Sequence, residues 1–343
     1  MAKDTVFNQT QVGVEAAAAK GTPVAAGIIL PATGIAPGVN PEIMNWRRPG
    51  GKYTDLTAVR REWTQGTLSG VPSYADLFYL LCAHVGAPET TGAAAPFTHK
   101  WLYAAHGPDA TIRSLTVQHG DPSAYVVGDK KAFQFAYGIV QELGMEWRRA
   151  ADPTLSGRMI GYPLEYLTQQ MSSGTLLVAA PILPGDISVY LDDAEADLGD
   201  TQLTEVSRLR FSSGNKVEPR WALNASTPGY TREVELAPNL TIDLTMAADE
   251  AFAAELARYR VPGGGRAYLK VTAVSALEAA TGTPFSLTIQ MAGRITRVEP
   301  FADDEGVYAV GITYSATPGL TRDAAADHNV ASIELVNAIT ALA

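Results

Sequence analysis

Acid–base and metal chemistry in proteins rests mostly on histidine, cysteine and paired carboxylates at short spacings, and this chain offers only scattered candidates. Its five histidines are His84, His99, His106, His119 and His328. None pairs with another at a metal-binding spacing such as H-x-x-x-H. His119 and Asp121 in "HGD" could orient a serine, but no G-x-S-x-G elbow presents one. A turn after a strand accounts for them, and a hydrolase built on this pair is the least favoured reading. His84 falls near the apolar face of a helix and reads as a packed residue. The single cysteine, Cys82, excludes an intramolecular disulfide framework and a cysteine zinc cluster. Its place within "YADLFYLLCAHV" reads as a buried thiol. "VPGGGR" (Val261–Arg266) has neither the Gly-Lys-Ser/Thr of a phosphate loop nor the strand–helix setting of a dinucleotide site, so it reads as a helix stop and turn. "LDDAEADLGD" (Leu191–Asp200) holds five acids but lacks the central glycine and closing glutamate of a calcium loop. It reads as a solvated hairpin tip, as does "ADDEG" (Ala302–Gly306). We therefore assign no catalytic, cofactor-binding or metal-ligating residue and expect no enzyme and no cofactor.

The elements around these residues are mostly strands. "NLTIDLTM" places Leu240, Ile242, Leu244 and Met246 on one face and Thr241, Asp243 and Thr245 on the other. "SLTIQM" does the same with Leu287, Ile289 and Met291, and Tyr308, Val310, Ile312 and Tyr314 alternate in the same way. Such alternation predicts antiparallel sheets with one dry face. In the first half, strands are expected at Val6–Val14, Ile28–Leu30, Ile43–Trp46, Val59–Trp63, Ile112–Gln118 and Lys131–Val140. In the last of these, Phe133, Phe135, Tyr137 and Ile139 would share a face. A helix is expected where Tyr74, Leu77, Phe78, Leu81 and Val85 recur at helical spacing. Ser73 and Asp76 give it a capping pattern, and Gly86 stops it. "RRPGGKYTD" (Arg47–Asp55) and the stretch from Ser212 to Tyr230 read as long loops. The tail "ASIELVNAITAL" fits both a strand and a helix.

Several words recur in order. "LTVQ" (Leu115–Gln118) is echoed by "LTIQ" (Leu287–Gln290), and "AYGI" (Ala136–Ile139) by "AVGI" (Ala309–Ile312). "GIILP" (Gly27–Pro31) is answered by "PILPG" (Pro181–Gly185), and the helix around Tyr74–Val85 by one around Ala248–Tyr259. The second long loop occupies the slot of the first. These landmarks predict a tandem duplication, with a first domain over 1–172, a second over 173–343, and a seam near Gln169–Gly174.

With 343 residues, 46% hydrophobic and 18% charged, the chain has the composition of a folded protein. Its 36 acids outnumber 26 bases, a poor balance for gripping nucleic acid. The polar start "MAKDTVFNQTQVGVE" lacks the apolar core of a signal peptide, and no run approaches a membrane-spanning length. We expect a product made in a cytoplasm, without a membrane anchor.

The order of features resembles the tail tube proteins of phages with long, non-contractile tails. The resemblance rests on the opening arm "TQVGVEAAAAKGTPVAAG", on "PILPGDISVYLDD" as an entry strand, on "SGVPSYADLFYLLCAHVG" as a flanking helix, and on the two long loops. It implies a mainly β fold of two tandem tail-tube-like β-sandwich or barrel domains, each with a flanking helix, long loops and terminal arms. That family commonly forms rings of six single-domain subunits stacked into a tube, whereas this chain is double length. Three copies per ring would supply the six positions. DNA would pass through the lumen without tight binding, and an acidic lumen would favour that. The implied partners are further copies of the chain and the tail terminator, tape measure and baseplate proteins. The implied location is the virion tail, assembled in the host cytoplasm. On this reading the long loops bridge successive rings, with Arg47, Arg48, Lys52, Tyr53, Lys216, Arg220, Trp221 and Tyr230 as candidate contacts. The alternative is a two-domain β-sandwich binding or capsid-decoration protein that recognises a glycan or a protein surface.

Overall fold

The computed structural model describes residues 9–107, 109–121, 132–167, 171, 173–222, 229–261, 265–304, 306–321, 328–340 and 342. Residues 6–8 of the expected first strand, Lys131, half of the proposed seam, Pro262, Gly263 and Gly264 of "VPGGGR" and the side chain of His328 lie outside these. The first part of the chain forms β1 (Gln9–Val14), β2 (Ile28–Ile29), β3 (Thr33–Trp46), β4 (Leu56–Gly70), helix α1 (Asp76–His84), β5 (Glu89–Thr91), β6 (Phe97–Ala104), β7 (Leu115–Gly120), β8 (Ala132–Arg148), β9 (Ala151–Gly161) and β10 (Glu165–Tyr166). It continues with β11 (Thr175–Leu176), β12 (Ile187–Asp192), β13 (Gln202–Leu203), β14 (Val206–Gly214), β15 (Val217–Arg220), β16 (Arg232–Glu235), β17 (Asn239–Ala247), helix α2 (Glu250–Tyr259), β18 (Arg266–Ala280), β19 (Thr283–Val298), β20 (Ala302–Asp304), β21 (Val307–Ala316), β22 (Leu320–Thr321) and β23 (His328–Asn337). The fold is mainly β, as the alternation predicted.

One order of antiparallel pairing occurs twice. In the first ladder β1 pairs with β7, β7 with β8, β8 with β10 and β9, β9 with β4, and β4 with β3. In the second, β12 pairs with β18, β18 with β19, β19 with β23 and β21, β21 with β17, and β17 with β14. The agreement reaches single residues. The β8–β9 register shifts between Val140 and Glu142, and the β19–β21 register shifts between Ile295 and Arg297. One rung runs Ile35–Leu68–Gly157–Leu143, and its counterpart runs Leu209–Leu244–Ile312–Val298. β8 and β19 are long, and each changes neighbours along its length: β8 pairs first with β7 and β10 and then with β9 and β14, and β19 first with β18 and β23 and then with β21.

Two further pairings join the ladders. The end of β8 pairs with β14, which makes the strand series β3–β4–β9–β8–β14–β17–β21–β19 continuous. β6 pairs with β23. The tail was ambiguous by periodicity, and it is a strand because β19 and β6 flank it on both sides. The apolar core is likewise shared: one cluster contains Leu77, Phe78, Leu143 and Trp147 together with Leu209, Ile242, Leu287 and Ile333.

Several expectations need correction. "LTVQ" lies in β7 but "LTIQ" lies in β19, and "AYGI" lies in β8 but "AVGI" in β21. In ladder order β7 stands where β18 stands, and β8 where β19 stands, so the echoed words are one strand out of step. They are similar because any half-buried strand calls for the same alternation. "GIILP" follows β1 whereas "PILPG" precedes β12, so this echo fails too. The helices keep their place, as do the long insertions between β3 and β4 and between β14 and β17. Phe133, Phe135, Tyr137 and Ile139 do not share one face, because Tyr137 adopts φ 56° where the β7–β8 register shifts. Phe135 enters the main core, while Tyr137 and Ile139 enter a second cluster. The bent backbone donates its Tyr137 N–H to the buried Glu15 carboxylate at 2.9 Å, which also accepts from Ser114 and Thr116.

The helices differ in setting. Every residue of α1 is buried, so its apolar stripe is only part of what the core covers. Ser73 and Asp76 form no reciprocal cap. The Ser73 hydroxyl accepts from Ala75 N, and the Asp76 carboxylate accepts from Ala32 N at 3.0 Å. Gly86 does end the helix: its φ is 134°, and a Cβ there would stand 2.3 Å from the Ala110 carbonyl oxygen. In α2 only Phe252 and Glu255 are buried, and Asp249 caps it by accepting from Phe252 N at 3.1 Å.

Candidate assembly surfaces

β3 and β4 form a hairpin far longer than the sheet that supports it. β4 is paired to β9 only over Thr64–Gly70, while β3 and β4 stay paired out to Trp46 opposite Leu56. The outer part is thus a two-stranded ribbon extending roughly 25 Å at strand rise. A two-stranded ribbon is marginal alone in water. This one is held by Glu42 with Arg60 and Arg61 and by Asn45 with Thr57. It presents Val39, Ile43, Met44, Trp46, Leu56 and Val59, each more than half exposed. Arg47, Arg48, Lys52 and Tyr53 come together at its tip, where Tyr53 is 82% exposed and Asp55 pairs with Arg48 at 3.5 Å. The apolar ribbon was missed from sequence. Its signal is that Ile43, Met44 and Trp46 put large apolar groups on both faces of a strand that has no second neighbour.

The second insertion is built for the interior and is not wholly a loop. β14 runs on to Gly214, and β15 and β16 form a hairpin inside the insertion. Lys216 and Tyr230, expected as contacts to a neighbouring ring, are fully buried within the chain and cannot serve there. The Lys216 ammonium pairs with Asp109 and, at 2.9 Å, with Glu235, and lies 5.6 Å from the Tyr103 ring centre. A buried ammonium needs such partners, since its desolvation is otherwise uncompensated. The Tyr230 hydroxyl donates to the Tyr137 carbonyl, and its ring packs on Tyr137 and Tyr162 at 4.7 and 5.4 Å. Lys20 pairs with Glu233 alongside. Burial pushes the Glu233 carboxyl up, but the Lys20 and Tyr137 hydrogen bonds outweigh it and hold the group below its ordinary value. Trp221 is half-buried, 5.6 Å from Trp63 and 4.5 Å from the Arg61 guanidinium. It therefore braces the root of the first ribbon. Of the four candidates in this insertion only Arg220 is exposed.

The strand series has two ends. At one end β3 has, among the described strands, only β4 as a ladder neighbour. At the other, the last residues of β19 pair with β21 on one side, and no described strand pairs with Ile295–Val298 on the other. Beside this second end lie Phe301 (46% exposed) and Tyr308 (63% exposed), stacked at 5.0 Å, with Phe252 of α2 at 5.4 Å from Phe301. Val307 and Tyr259 are exposed nearby in sequence. The seam inside the chain is different. Trp147 at the end of β8 is buried, and its indole N–H donates to Ile182 O at 3.0 Å.

Several of the residues considered for chemistry have partners within the fold. His84 is buried between Val140 O (2.9 Å) and Ser213 Oγ (2.7 Å), and burial pushes its pKa down to about 4. His99 contacts Thr90, Asn337 and the Ile339 carbonyl, and His119 contacts the Thr10 hydroxyl. Cys82 is buried, and burial raises its thiol pKa. Asp192 closes the acidic turn by accepting from Gly199 and Thr201 N–H, and Asp303 closes the other turn by accepting from Gly306 N–H. Among the described residues no group of three histidine, cysteine or carboxylate side chains is placed to hold a metal, and no helix is long and apolar enough to cross a membrane. No protein-family model matches the chain, and no curated protein matches it.

Proposed function

We propose that this chain is a structural subunit of a phage tail tube: two tandem copies of one β-sandwich plan, in which three chains make a ring and rings stack into a hollow conduit for DNA. The observation that carries the reading is the β8–β14 seam. It joins β8 to β14 in a strand series whose two ends, β3 and β19, hold the same places in the ladder order as β14 and β8. A unit that already joins head to tail within the chain has a surface suited to doing so between chains. A heterologous contact of that kind either closes into a ring or continues as a filament. The projecting ribbon, with apolar groups on a hairpin too thin to bury them, supplies a second contact suited to stacking. The excess of acids, 36 against 26 bases, suits a conduit that must not bind DNA.

Negative-stain electron microscopy of the purified chain across a concentration series tests this. Rings or tubes with an axial hole and threefold chain symmetry are expected. A monomer or closed small oligomer at every concentration, which instead binds a glycan or protein surface, would replace the tube with a binding or decoration role.

A further inference from the structure

The internal seam predicts the residues that would face each other if the two ends of the strand series met in neighbouring copies. Aligning the ladders on their shared register shift matches Gln141 with Thr296, and so Met145 with Pro300. Aligning the rungs matches Leu209 with Ile35, and so Phe211 with Pro37. Inside the chain Phe211 and Met145 are opposite partners in the β8–β14 ladder. At the two open ends, both members of that same pair are proline.

Strand geometry shows what the prolines remove. Ile35 donates its N–H away from β4, to Thr10 Oγ1 at 3.2 Å. Backbone N–H groups alternate sides along a strand, so the nitrogens of Pro37, Val39 and Pro41 also face away from β4. Glu299 donates its N–H inward to Gly311 O at 2.8 Å, which turns the adjacent Pro300 nitrogen outward. Phe211 and Met145, in the matching positions, therefore exchange backbone hydrogen bonds across the seam, whereas a proline pair has no N–H to exchange. Edge prolines are a known guard against uncontrolled strand addition. No proline occurs among Leu143–Arg148 or Val206–Ser213, the strands of the internal seam.

We infer that Pro37 of one copy and Pro300 of the next face each other in a head-to-tail joint between two copies of this chain, leaving that joint without the central backbone hydrogen bonds of the internal seam. This rests on the chain being a self-assembling subunit. The two seams then differ in kind. The internal one is a full ladder over a buried Trp147, permanent and part of the fold. The one between copies is held mainly by side chains such as Phe301 and Tyr308, and it stays open until concentration or a second contact closes it. The prolines also set polarity. β3 lacks outward donors at two positions, so it is a poor partner for another β3 and needs an edge that supplies N–H groups.

Two measurements on the full chain test this. The first is the concentration threshold for assembly, read by sedimentation, in Pro37→Val, Pro300→Val, the double variant and Pro41→Val. Restoring two backbone hydrogen bonds should lower the threshold about tenfold or more in the double variant. Pro41→Val should leave it unchanged, because Pro41 lies beyond the stretch that matches the seam. The second is disulfide trapping by Gly38→Cys with Glu299→Cys, which match the directly opposed Ser212 and Gly144. A Cβ at Gly38 meets only Gln65 O, at an ordinary 3.5 Å. Covalent multimers of the chain under oxidation, lost when either cysteine is omitted, are expected. Tubes that neither cross-link nor respond to the proline changes would overturn the joint and leave the tube standing. Disordered aggregates from the double variant without cross-links would also overturn it. Absence of any self-association in wild type and variants would overturn joint and tube together.

Discussion

Lys216 carries its charge into the interior, and the surrounding residues show why the fold tolerates it. Asp109 comes from the β6–β7 connection and Glu235 from β16, so one ammonium ties the second insertion to the first ladder. Replacing it with methionine leaves two carboxylates facing a dry site. Lys216→Met should cost ~3–5 kcal/mol, whereas Arg220→Ala, at an exposed site, should stay within about 0.5 kcal/mol. Urea unfolding of both variants checks the contrast. His84 sets a pH dependence of known sign. Its pKa falls from 6.5 to about 4 on folding, because burial disfavours the charged imidazole. The unfolded chain therefore binds the extra proton first. Stability from this group is complete above pH 6.5 and is lost as pH falls toward 4. A urea midpoint that declines over this window in wild type, and less steeply in His84→Gln, is the expected result.

At the scale of elements, the two insertions share a position in the ladder order and differ in use. The β3–β4 ribbon is exposed and stands clear of the core. Ile43→Lys with Trp46→Lys should leave thermal stability nearly unchanged and abolish tubes, read by circular dichroism and electron microscopy. Replacing Arg47–Asp55 with a two-residue Asn-Gly turn should do the same. Deleting the second insertion should not give a folded, assembly-dead protomer, because Tyr230 and Lys216 are core groups. An insoluble or strongly destabilised product is expected. If that deletion folded normally, the second hairpin would not be the brace described here. The helices make the same contrast, since every residue of α1 is buried and α2 retains an open side.

For the whole molecule, one apolar core and the β8–β14 pairing join the two ladders. Interfaces between independent domains are small and polar, whereas this seam is a hydrogen-bonded ladder over buried Met145, Trp147, Leu209 and Phe211. Calorimetry of the unassembled chain should therefore give a single cooperative transition. Two separate transitions would mean that the halves melt independently and that the seam is only a docking contact.

The sequence by itself determined what depends on local pattern. "NLTIDLTM" buries Leu240, Ile242, Leu244 and Met246 as its alternation required, α1 lies where apolar spacing placed it, and the Pro-Gly-Gly stretch turns a hairpin. Period-two writing is a property of one strand, so it can be read from one strand. Strand partnership was not legible, because backbone hydrogen bonds carry no residue identity. "LTVQ" and "LTIQ" therefore looked like a matched pair while standing in different places in the ladder order. Burial of Lys216 and Tyr230 was hidden for a related reason: a polar segment without regular alternation reads as a loop until the Asp109, Glu235 and Tyr137 that receive it are brought together from distant parts of the chain. The tertiary structure alone decided which edges are sealed inside the molecule and which are left open, since an edge is defined by the absence of a neighbour that only the folded chain can supply or withhold.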